Sequence, residues 1–382
     1  MTALKGFRIL SLQSRPPAET TTYLLAGMGA EVIRIEEPVP PAMIAGGGQS
    51  EAAAQRGAAF NALGRNKRSI VLDLRTEAGQ DAFYRLAETA DVVLEAYRPG
   101  VAKRLGVDYE TLRMRDPRLV YCSLTGFGQT GPYSALPTHD SEVCAITGAT
   151  AANLDLDGNP VAYRVLMGDV NAALHAALAI TAALLHRGAT DQGQYIDISM
   201  AACATTVQMG GIAQVLATGS SRHGGSPFDL AAFRCKDGKY ISTNNTEARL
   251  WANFCRAIEL PELVTVSMRS PDWPASLDAI RARMLTRTRD EWFELIREAG
   301  ASAAPVLSME EALEDRHFVE TGMLMDLEHP TVGPVRQVAF PIRFSATPAE
   351  FRSFAPLRGE HTDAVLAELG YNEEARAAFA FD

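Results

Sequence analysis

The sequence predicts an α/β protein whose large, Rossmann-like domain is built on a parallel sheet. Two features of residues 1–130 support this prediction: short apolar runs alternate with amphipathic helical segments, and the runs are apolar on both faces. Strands with this pattern lie in a parallel sheet that helices cover on both sides. The length of 382 residues exceeds what one hydrophobic core usually organises, so we expect a second, smaller domain.

The strands and helices of the large domain follow from these runs in turn. The predicted strands are FRILSL, EVIRIE, SIVLDL, DVVLEAY, LVYCSLTGF and QYIDISM. The predicted helices are ETTTYLLAGMGA, TEAGQDAFYRLAETA, segments around 101–114, a long helix from Asp169 to about His186, and another through about Val215. The first strand is followed by QSRPPAETT and not by the fingerprint GxGxxG, so we expect no NAD site.

The smaller domain is predicted over residues 225–320 and has an α+β pattern. The Gly- and Ser-rich segment at 217–227 is expected to be a linker or a binding loop, which limits the large domain to residues 1–224. A hairpin turning at Lys236-Asp237-Gly238 is expected to precede two helices, EARLWANFCRAIEL and RTRDEWFELIREAG, and the edge strand SAAPVLS. Residues 321–382 are expected to return to the large domain.

The composition excludes several classes of protein. A formal net charge of −10 is unfavourable for binding nucleic acid, which requires a basic surface. The five cysteines have no zinc-site spacing, so we expect reduced core residues and no bound metal. The N-terminus enters a strand directly, without a signal peptide, and the longest apolar stretch, 172–185, is shorter than a membrane span. These features predict a soluble, cytoplasmic protein.

Four titratable residues are candidates for acid/base chemistry. His139 and Asp140 follow a Gly- and Pro-rich turn, in the kind of loop where functional residues concentrate. Asp169 lies at the expected N-cap of the long helix, where it either caps the helix or presents a carboxylate as base or nucleophile. Glu247 opens an amphipathic helix, where an acidic residue is common. Each of the four, taken alone, also has an ordinary structural role.

Two glycine-rich and two basic segments are candidates for ligand binding. TGFGQTGP and HGGSPF allow backbone N–H groups to approach a ligand, although such patterns are common. The basic segments GRNKRS and YRPGVAKRLG adjoin predicted strands. Because ligands collect at the carboxyl edge of a parallel sheet, Arg65, Lys67 and Arg98 are candidates for binding phosphate. Lys103 and Arg104 are equally consistent with a solvated helix end.

Several long motifs resemble one family over nearly the whole chain. They are MGAEVIRIEEP, GRNKRSIVLDL, YRPGVAKRLGVDYETLRMRDPRLVYCSLTGFGQTGPY, LMGDVNAALHAALAITAALLHR, GQYIDISM and RGEHTDAVLAELGY. In this order they are similar to the class III CoA-transferase superfamily, which also contains the α-methylacyl-CoA racemases. The resemblance implies an interlocked homodimer that binds acyl-CoA in a cleft between a large and a small domain.

The resemblance also implies a set of site residues. Asp169 matches the catalytic aspartate of the family, which is a nucleophile in the transferases and a proton shuttle in the racemases. The racemases carry GHD where transferases typically carry GYD, and Thr138-His139-Asp140 stands at this position. Glu247, in NNTEARLWANFC, matches the glutamate that supports the racemase histidine. Together with the basic and glycine-rich segments, this gives the residues predicted to bind CoA: Arg34, Arg65, Lys67, Arg98, Arg104, Gly126 and Gly128.

The sequence therefore favours an acyl-CoA racemase that inverts C2 of a 2-methylacyl-CoA by 1,1-proton transfer. His139 and Asp169 are expected to act on opposite faces of C2, with Glu247 supporting His139 and Asp140 supporting Asp169. Backbone N–H groups at the start of the Asp169 helix are expected to stabilise the enolate oxygen. The reaction needs no metal or redox cofactor, since the CoA thioester itself is the substrate.

Two alternatives remain open. In a class III CoA-transferase, Asp169 attacks the donor thioester, forms an anhydride and then an aspartyl-CoA thioester, and passes CoA to a free acid. In the second alternative, a non-enzymatic protein binds acyl-CoA without turnover.

Two departures from the family pattern bear on how the substrate is bound. Glu37 stands where an arginine near the CoA 3′-phosphate is usual, which leaves Arg34, Arg65 or Arg68 to bind it, and LQSRPPAETTT lacks the usual PGP pattern.

Overall fold

The computed structural model describes residues 1–12, 15–38, 50–154, 159–220, 232–267 and 270–379. The chain forms two compact units. The first contains Met1–Met209 and Gly322–Asp382, and the second contains Gly210–Thr321. The first segment of this unit ends at Met209, at the start of a helix that the sequence assigns to the large domain. The boundary therefore falls earlier than the predicted residue 224. Most of the segment predicted as a linker or binding loop, together with HGGSPF, lies outside the described residues.

The first unit contains the predicted parallel sheet. Its strands are β1 (Arg8–Leu12), β2 (Glu31–Glu36), β3 (Lys67–Val71), β4 (Val92–Glu95), β5 (Val120–Thr125) and β6 (Tyr195–Ser199). All neighbouring strands run parallel in the order β3-β2-β1-β4-β5-β6, which is that of a Rossmann-like sheet. The predicted fold class is confirmed. The strand order reverses between β1 and β4, and such a switch point leaves a crevice at the carboxyl edge.

Hydrophobic cores cover both faces of this sheet. Neighbouring residues of a strand point to opposite faces, so Ile9 and Leu10, both fully buried, belong to different cores. Ile9 packs in the same core as Ile180 of a long helix, whereas Leu10 shares the other core with Phe83. This two-sided burial explains why the strands are continuously apolar in sequence.

Helices connect the strands of the first unit. They are α1 (Pro16–Gly27), α2 (Glu51–Phe60), α3 (Glu77–Ala87), α4 (Val101–Arg104), α5 (Tyr109–Arg113), α6 (Asp140–Ile146), α7 (Ala149–Ala152), α8 (Met167–Thr190) and α9 (Met200–Thr206). The sequence did not predict α2, α6 or α7. Short or Ala-rich helices of this kind have little hydrophobic periodicity, which is the main signal for a helix.

The long helix α8 extends beyond its predicted limits of 169 and 186. Its N-cap is Leu166, so Asp169 lies inside the first turn and is not the N-cap residue. By length and composition α8 is apolar enough to cross a membrane, and half of its most apolar part is buried within the chain. The expectation that this region is too short for a membrane span therefore holds for 172–185 but not for the whole helix. A buried core helix beside a parallel sheet has the same composition.

The second unit has the predicted α+β pattern. It contains most of α10 (Met209–Thr218), the strands β7 (Phe233–Arg234), β8 (Tyr240–Thr243) and β9 (Ala303–Val306), and the helices α11 (Ala248–Ala257), α12 (Trp273–Met284), α13 (Arg289–Glu298), α14 (Met309–Glu314) and α15 (Arg316–Glu320). The strands form an antiparallel sheet, and the predicted hairpin joins β7 to β8. Trp251, Phe254 and Trp292 fill the core of this unit.

The last sixty residues pack on the first unit. They contain the antiparallel pair β10 (Leu324–His329) and β11 (Gly333–Val338), and the helices α16 (Thr362–Glu368) and α17 (Glu373–Ala377). The His361 N–H donates to the Ser69 carbonyl at 2.9 Å, and the Val71 N–H donates to Thr362 Oγ1 at 3.0 Å. Both partners belong to β3, the edge strand, so this segment covers backbone groups that an edge strand otherwise leaves unpaired.

The five cysteines are buried and free of disulfide bonds. Cys122 and Cys203 lie in one core of the first unit, and Cys235 and Cys255 lie in the core of the second. Burial raises the pKa of Cys203 to about 11, which keeps this thiol protonated and unreactive at neutral pH. The described residues contain no group of His, Cys, Asp and Glu side chains suited to a metal ion.

Candidate active site

A cavity of about 420 Å³ opens at the carboxyl edge of the parallel sheet in the first unit. Its lining comes from the segments after β1, β2, β4 and β5 and from the first turn of α8. The cavity therefore lies at the switch point, where doubly wound sheets bind their ligands. The charged and functional candidates that line it are Arg15, Glu37, Arg98, Gly126, His139 and Asp169.

Asp169 provides the buried carboxylate of this cavity. It is the third residue of α8, and 6% of it is exposed. Burial raises the pKa of Asp169 to about 6, the negative charge of Asp140 adds to this rise, and His139 opposes it. At pH 7 to 8 most of Asp169 is ionised, although little water surrounds it. Such a carboxylate is suited to act as a nucleophile or as a base.

Asp140 holds the start of α8 in place. It is the first residue of α6 and is buried, and its Oδ1 accepts a hydrogen bond from the Asp169 N–H at 2.8 Å. The Cys144 thiol donates to Asp140 Oδ2 at 3.6 Å. A Cβ atom added at Gly168 would lie 3.1 Å from Asp140 Oδ1, so the glycine permits this close approach. The predicted support of Asp169 by Asp140 thus takes the form of a backbone hydrogen bond.

Two of the first three N–H groups of α8 are already occupied. The Met167 N–H donates to the Val165 carbonyl, and the Asp169 N–H donates to Asp140 Oδ1. The sequence suggested that these groups stabilise an oxyanion of the substrate. The suggestion is wrong for these two N–H groups, whose acceptors are Val165 and Asp140.

His139 is exposed and lines the cavity together with Asp169. Its backbone N–H donates to Glu142 Oε2 at 2.9 Å, which fixes the residue at the N-cap of α6. The preceding residue, Thr138, packs against Gly126: a Cβ atom at Gly126 would lie 1.9 Å from Thr138 Cγ2. Gly126 therefore acts through van der Waals contact, since only glycine leaves room for the loop that presents His139.

Glu247 belongs to the second unit, whereas His139 belongs to the first. It is exposed and is the N-cap residue of α11, where its side chain makes no capping hydrogen bond. A role for Glu247 in supporting His139 stays a prediction.

Three of the predicted CoA-binding cations are buried and already paired. Lys67 Nζ lies 2.8 Å from Glu19 Oε2, and Arg34 Nε lies 2.8 Å from Glu36 Oε1. The Arg65 guanidinium donates to a backbone carbonyl and to a tyrosine hydroxyl. Burial lowers the pKa of Lys67 to about 8 despite the Glu19 carboxylate. None of the three is among the described residues that line the cavity, so their geometry gives no support to phosphate binding.

The other predicted binding residues divide into two groups. Arg98 is exposed and lines the cavity, as does Gly126. Arg104 is exposed on α4 and Gly128 has a left-handed backbone with φ of 82°, but neither is among the described lining residues. Of the predicted set, Arg98 is thus the cation that the structure brings to the same cavity as Asp169.

Sequence reasoning missed Arg15. It directly precedes α1, is exposed, and lines the cavity. Its guanidinium makes no hydrogen bond or ion pair with another residue in the described ranges. Its position in the sequence could have identified it, because a basic residue just after the first strand of a Rossmann-like sheet lies at the ligand-binding edge.

Comparison with known proteins identifies the family. The chain matches the model of CoA-transferase family III over residues 4–362, and it belongs to this family. It is 31% identical to a mouse succinyl-CoA:glutarate CoA-transferase, over 98% of this chain and 88% of the relative. It is also 31% identical to a formyl-CoA:oxalate CoA-transferase of Rhodopseudomonas palustris, over 97% of this chain and 94% of the relative.

Solved structures agree with this assignment. A CAIB/BAIF family protein from Brucella suis superimposes with a TM-score of 0.80 at 28% identity, over 96% of this chain and 99% of the other. The Rv3272 protein from M. tuberculosis superimposes with a TM-score of 0.80 at 28% identity, over 94% and 98% of the two chains. The superfamily suggested by the sequence motifs is confirmed, whereas closeness to the racemases is not supported by the names of these relatives.

Proposed function

We propose that the protein is a CoA-transferase that moves CoA from an acyl-CoA to a free carboxylic acid, with Asp169 as the nucleophile. The observation that carries this proposal is the Asp169 carboxylate, which lies in the switch-point cavity, is buried, and is mostly ionised at neutral pH. Membership of CoA-transferase family III and the names of the two relatives support the same reaction.

The proposed reaction proceeds by four substitutions at carbonyl carbons. The Asp169 carboxylate attacks the donor thioester, which gives a mixed anhydride and CoA thiolate. The thiolate attacks the Asp169 carbonyl of this anhydride, releasing the donor acid and leaving an aspartyl-CoA thioester. The acceptor carboxylate then attacks that thioester, which gives a second anhydride and frees the thiolate. Attack of the thiolate on the acceptor carbonyl yields the new acyl-CoA and restores Asp169.

The neighbouring residues support this chemistry in separate ways. Asp140 fixes the Asp169 backbone and, through its negative charge, raises the pKa of Asp169. Arg98 is assigned to the CoA phosphates, since its charge lies in the cavity on an acidic protein. His139 lies close enough to lower the pKa of Asp169, which keeps the nucleophile ionised.

Proton transfer at C2, the reaction favoured by the sequence, is the second candidate. The observation in its favour is that His139 and Asp169 line the same cavity. Against it, both curated relatives described above are named as transferases. The two reactions differ in their requirements, because CoA transfer needs a free acid and racemisation needs none.

The test uses this difference. The purified protein is incubated with succinyl-CoA, with or without a free carboxylic acid such as glutarate, in D₂O. Formation of the acceptor's CoA thioester, dependent on the acid and lost in Asp169→Asn, supports the transferase. Deuterium at C2 of the acyl group without any acid, and without a new thioester, contradicts it and supports the racemase.

We also propose that the chain is a homodimer, as the family resemblance implies. One face of α8 exposes a row of apolar side chains at helical spacing, namely Val170, Leu174, Leu178 and Leu185. A row of this kind on a helix indicates a contact surface. Sedimentation of the purified protein tests the proposal: the mass of a dimer is expected, and a monomer at micromolar concentration contradicts it.

A further inference from the structure

Arg15 is a cation in the cavity to which the proposed CoA-transfer steps assign no role. The buried cations at this part of the sheet are paired, as Lys67 is with Glu19 and Arg34 is with Glu36. Arg15 is exposed to the cavity and, within the described residues, its guanidinium has no such partner. A guanidinium in this position is suited to an anionic group of the ligand, since its planar donors match a carboxylate or a phosphate.

The packing of α1 on α8 places Arg15 and Asp169 at the same end of two neighbouring helices, where both line the cavity. Both helices pack on the same face of the sheet, and Thr21 Oγ1 of α1 donates to the Ala173 carbonyl of α8 at 3.4 Å. Each helix leads from the carboxyl edge of the sheet to its amino edge, so the two run in the same direction. Arg15 is six residues before Thr21 and Asp169 is four before Ala173, so both lie at the N-terminal ends of adjacent helices.

Arg98 enters the cavity from a different element. It follows β4 and the residue Tyr97, whose side chain packs in the core on the opposite face of the sheet from α1 and α8. The cavity thus has two cations in different positions: Arg15 on the helix that neighbours the nucleophile's helix, and Arg98 on the loop after β4. The CoA phosphates are suited to one of these cations, and an anionic group in the acyl part of the thioester is suited to the other.

We propose that Arg15 binds a carboxylate at the far end of the acyl group, so that the acids exchanged at Asp169 are dicarboxylic acids. This inference rests on the proposed CoA-transferase function and names its substrate class. One carboxyl carbon of such an acid is attacked at Asp169, while the other carboxylate remains charged. Arg15 balances that remaining charge, which otherwise adds to the negative charge of Asp169 in the cavity and to that of Asp140, which is bonded to the Asp169 N–H.

The test compares two donors that differ only in this carboxylate. Succinyl-CoA and butyryl-CoA have acyl chains of the same length and the same CoA part. The rate of hydroxylamine-trapped adduct formation is measured for each donor with the unmutated protein, Arg15→Gln, Arg15→Lys and Arg98→Gln. This half-reaction needs no acceptor acid, and Asp169→Asn gives the uncatalysed background.

The expected result is a preference for succinyl-CoA that depends on Arg15. Arg15→Gln is expected to lower the second-order rate constant of adduct formation from succinyl-CoA by about 10- to 100-fold, the usual range for a charged hydrogen bond, and to leave that from butyryl-CoA unchanged. Arg15→Lys is expected to restore part of the loss. Arg98→Gln is expected to weaken the binding of both donors equally, because both contain the CoA phosphates.

The other outcomes overturn the inference in distinguishable ways. If Arg15→Gln slows both donors equally, Arg15 binds the CoA part. If that loss is absent when the donors are 3′-dephospho-CoA thioesters, Arg15 binds the 3′-phosphate. Equal rates for both donors with the unmutated protein also refute the dicarboxylate preference while leaving the transferase intact. Absence of any adduct above the Asp169→Asn background contradicts the proposed function itself.

Discussion

Asp140 Oδ1 accepts a 2.8 Å hydrogen bond from the backbone N–H of Asp169. The residue that follows His139 therefore fixes the turn of α8 that carries Asp169, the proposed nucleophile. The same carboxylate contributes to the raised pKa of Asp169, which is about 6. Burial is the larger cause of this raised pKa, and Asp140 adds to it, so one residue of α6 acts on both the position and the protonation of Asp169. This link can be tested through the pH dependence of the reaction.

Asp140→Asn is expected to shift the acid limb of the pH–rate profile to lower pH. Adduct formation requires ionised Asp169, so its rate rises with pH through the pKa of this residue, about 6 in the unmutated protein. The amide removes a negative charge that raises this pKa but keeps an oxygen that can accept the Asp169 N–H. The rate of adduct formation from succinyl-CoA is measured between pH 4.5 and 8.

Cys144→Ala is the matched control for this shift. It removes the thiol that donates to Asp140 Oδ2 at 3.6 Å but leaves the charge of Asp140 in place. The pH profile of this variant is expected to keep its inflection. If the Asn and Ala variants shift alike, packing rather than the charge of Asp140 sets the pKa of Asp169.

His139→Gln is expected to shift the inflection in the opposite direction, to higher pH. The charge of His139 lowers the pKa of Asp169, so its loss makes the carboxylate harder to ionise. At pH 8, where Asp169 is ionised in both proteins, CoA transfer is expected to stay within about 10-fold of the unmutated rate. A loss of about 10²–10⁴-fold at pH 8 is the effect of removing a direct acid/base, and it contradicts this role for His139.

Asp169→Asn is expected to stabilise the fold at pH 8. The pKa of Asp169 in the folded chain, about 6, is above its ordinary value of 3.8, so the folded state binds this proton more tightly. The resulting stability is fully present below pH 3.8 and is lost as the pH rises through 6. At pH 8 the uncharged amide is expected to raise the free energy of unfolding by up to about 3 kcal/mol.

The measurement is denaturant unfolding of both proteins at pH 8 and at acid pH. The stabilisation is expected to shrink towards zero at acid pH, because Asp169 is then protonated in the folded state too. Asp278→Asn, at an exposed carboxylate, is the control and is expected to change stability by less than about 0.5 kcal/mol. If Asp169→Asn is less stable than the unmutated protein at pH 8, burial of the Asp169 charge does not destabilise the fold as proposed.

Lys67→Met and Arg98→Gln are expected to have complementary effects. Lys67 is buried against Glu19, so its loss leaves that carboxylate with the more distant Arg34, at 3.8 Å, and is expected to destabilise the fold by about 3 kcal/mol, with little change in KM for acyl-CoA. Arg98 is exposed in the cavity, so Arg98→Gln is expected to raise KM and leave stability unchanged. Denaturant unfolding and steady-state kinetics measure the two quantities, and a raised KM in folded Lys67→Met contradicts the structural role.

The fold was largely accessible from the sequence because its signals are local. The run EVIRIE is apolar on both faces, and β2 spans these same residues, Glu31–Glu36. The partners of a buried charge are not local. Lys67 and Arg98 both look like phosphate-binding residues in sequence. Glu19, 48 residues before Lys67, pairs with Lys67, whereas it makes no such contact with Arg98 in the described part of the chain.

The same limitation affected the site. The motif positions of His139, Asp140 and Asp169 placed them together correctly, but the sequence could not show that Asp140 occupies the N–H group of Asp169. The interpretation of Thr138-His139-Asp140 as a racemase signature relied on one residue of the motif. Comparison over nearly the full chain favours the transferases.

The central claim is that Asp169 becomes covalently attached to CoA during the reaction. The protein is incubated with succinyl-CoA in D₂O, quenched with hydroxylamine and digested, and the peptide that contains Asp169 is examined by mass spectrometry, with Asp169→Asn as control. A hydroxamate at Asp169, absent from the variant, with no catalysed deuteration at C2, is the predicted result. An unmodified Asp169 together with deuterium at C2 of the recovered acyl-CoA would contradict the account and return the protein to proton-transfer chemistry.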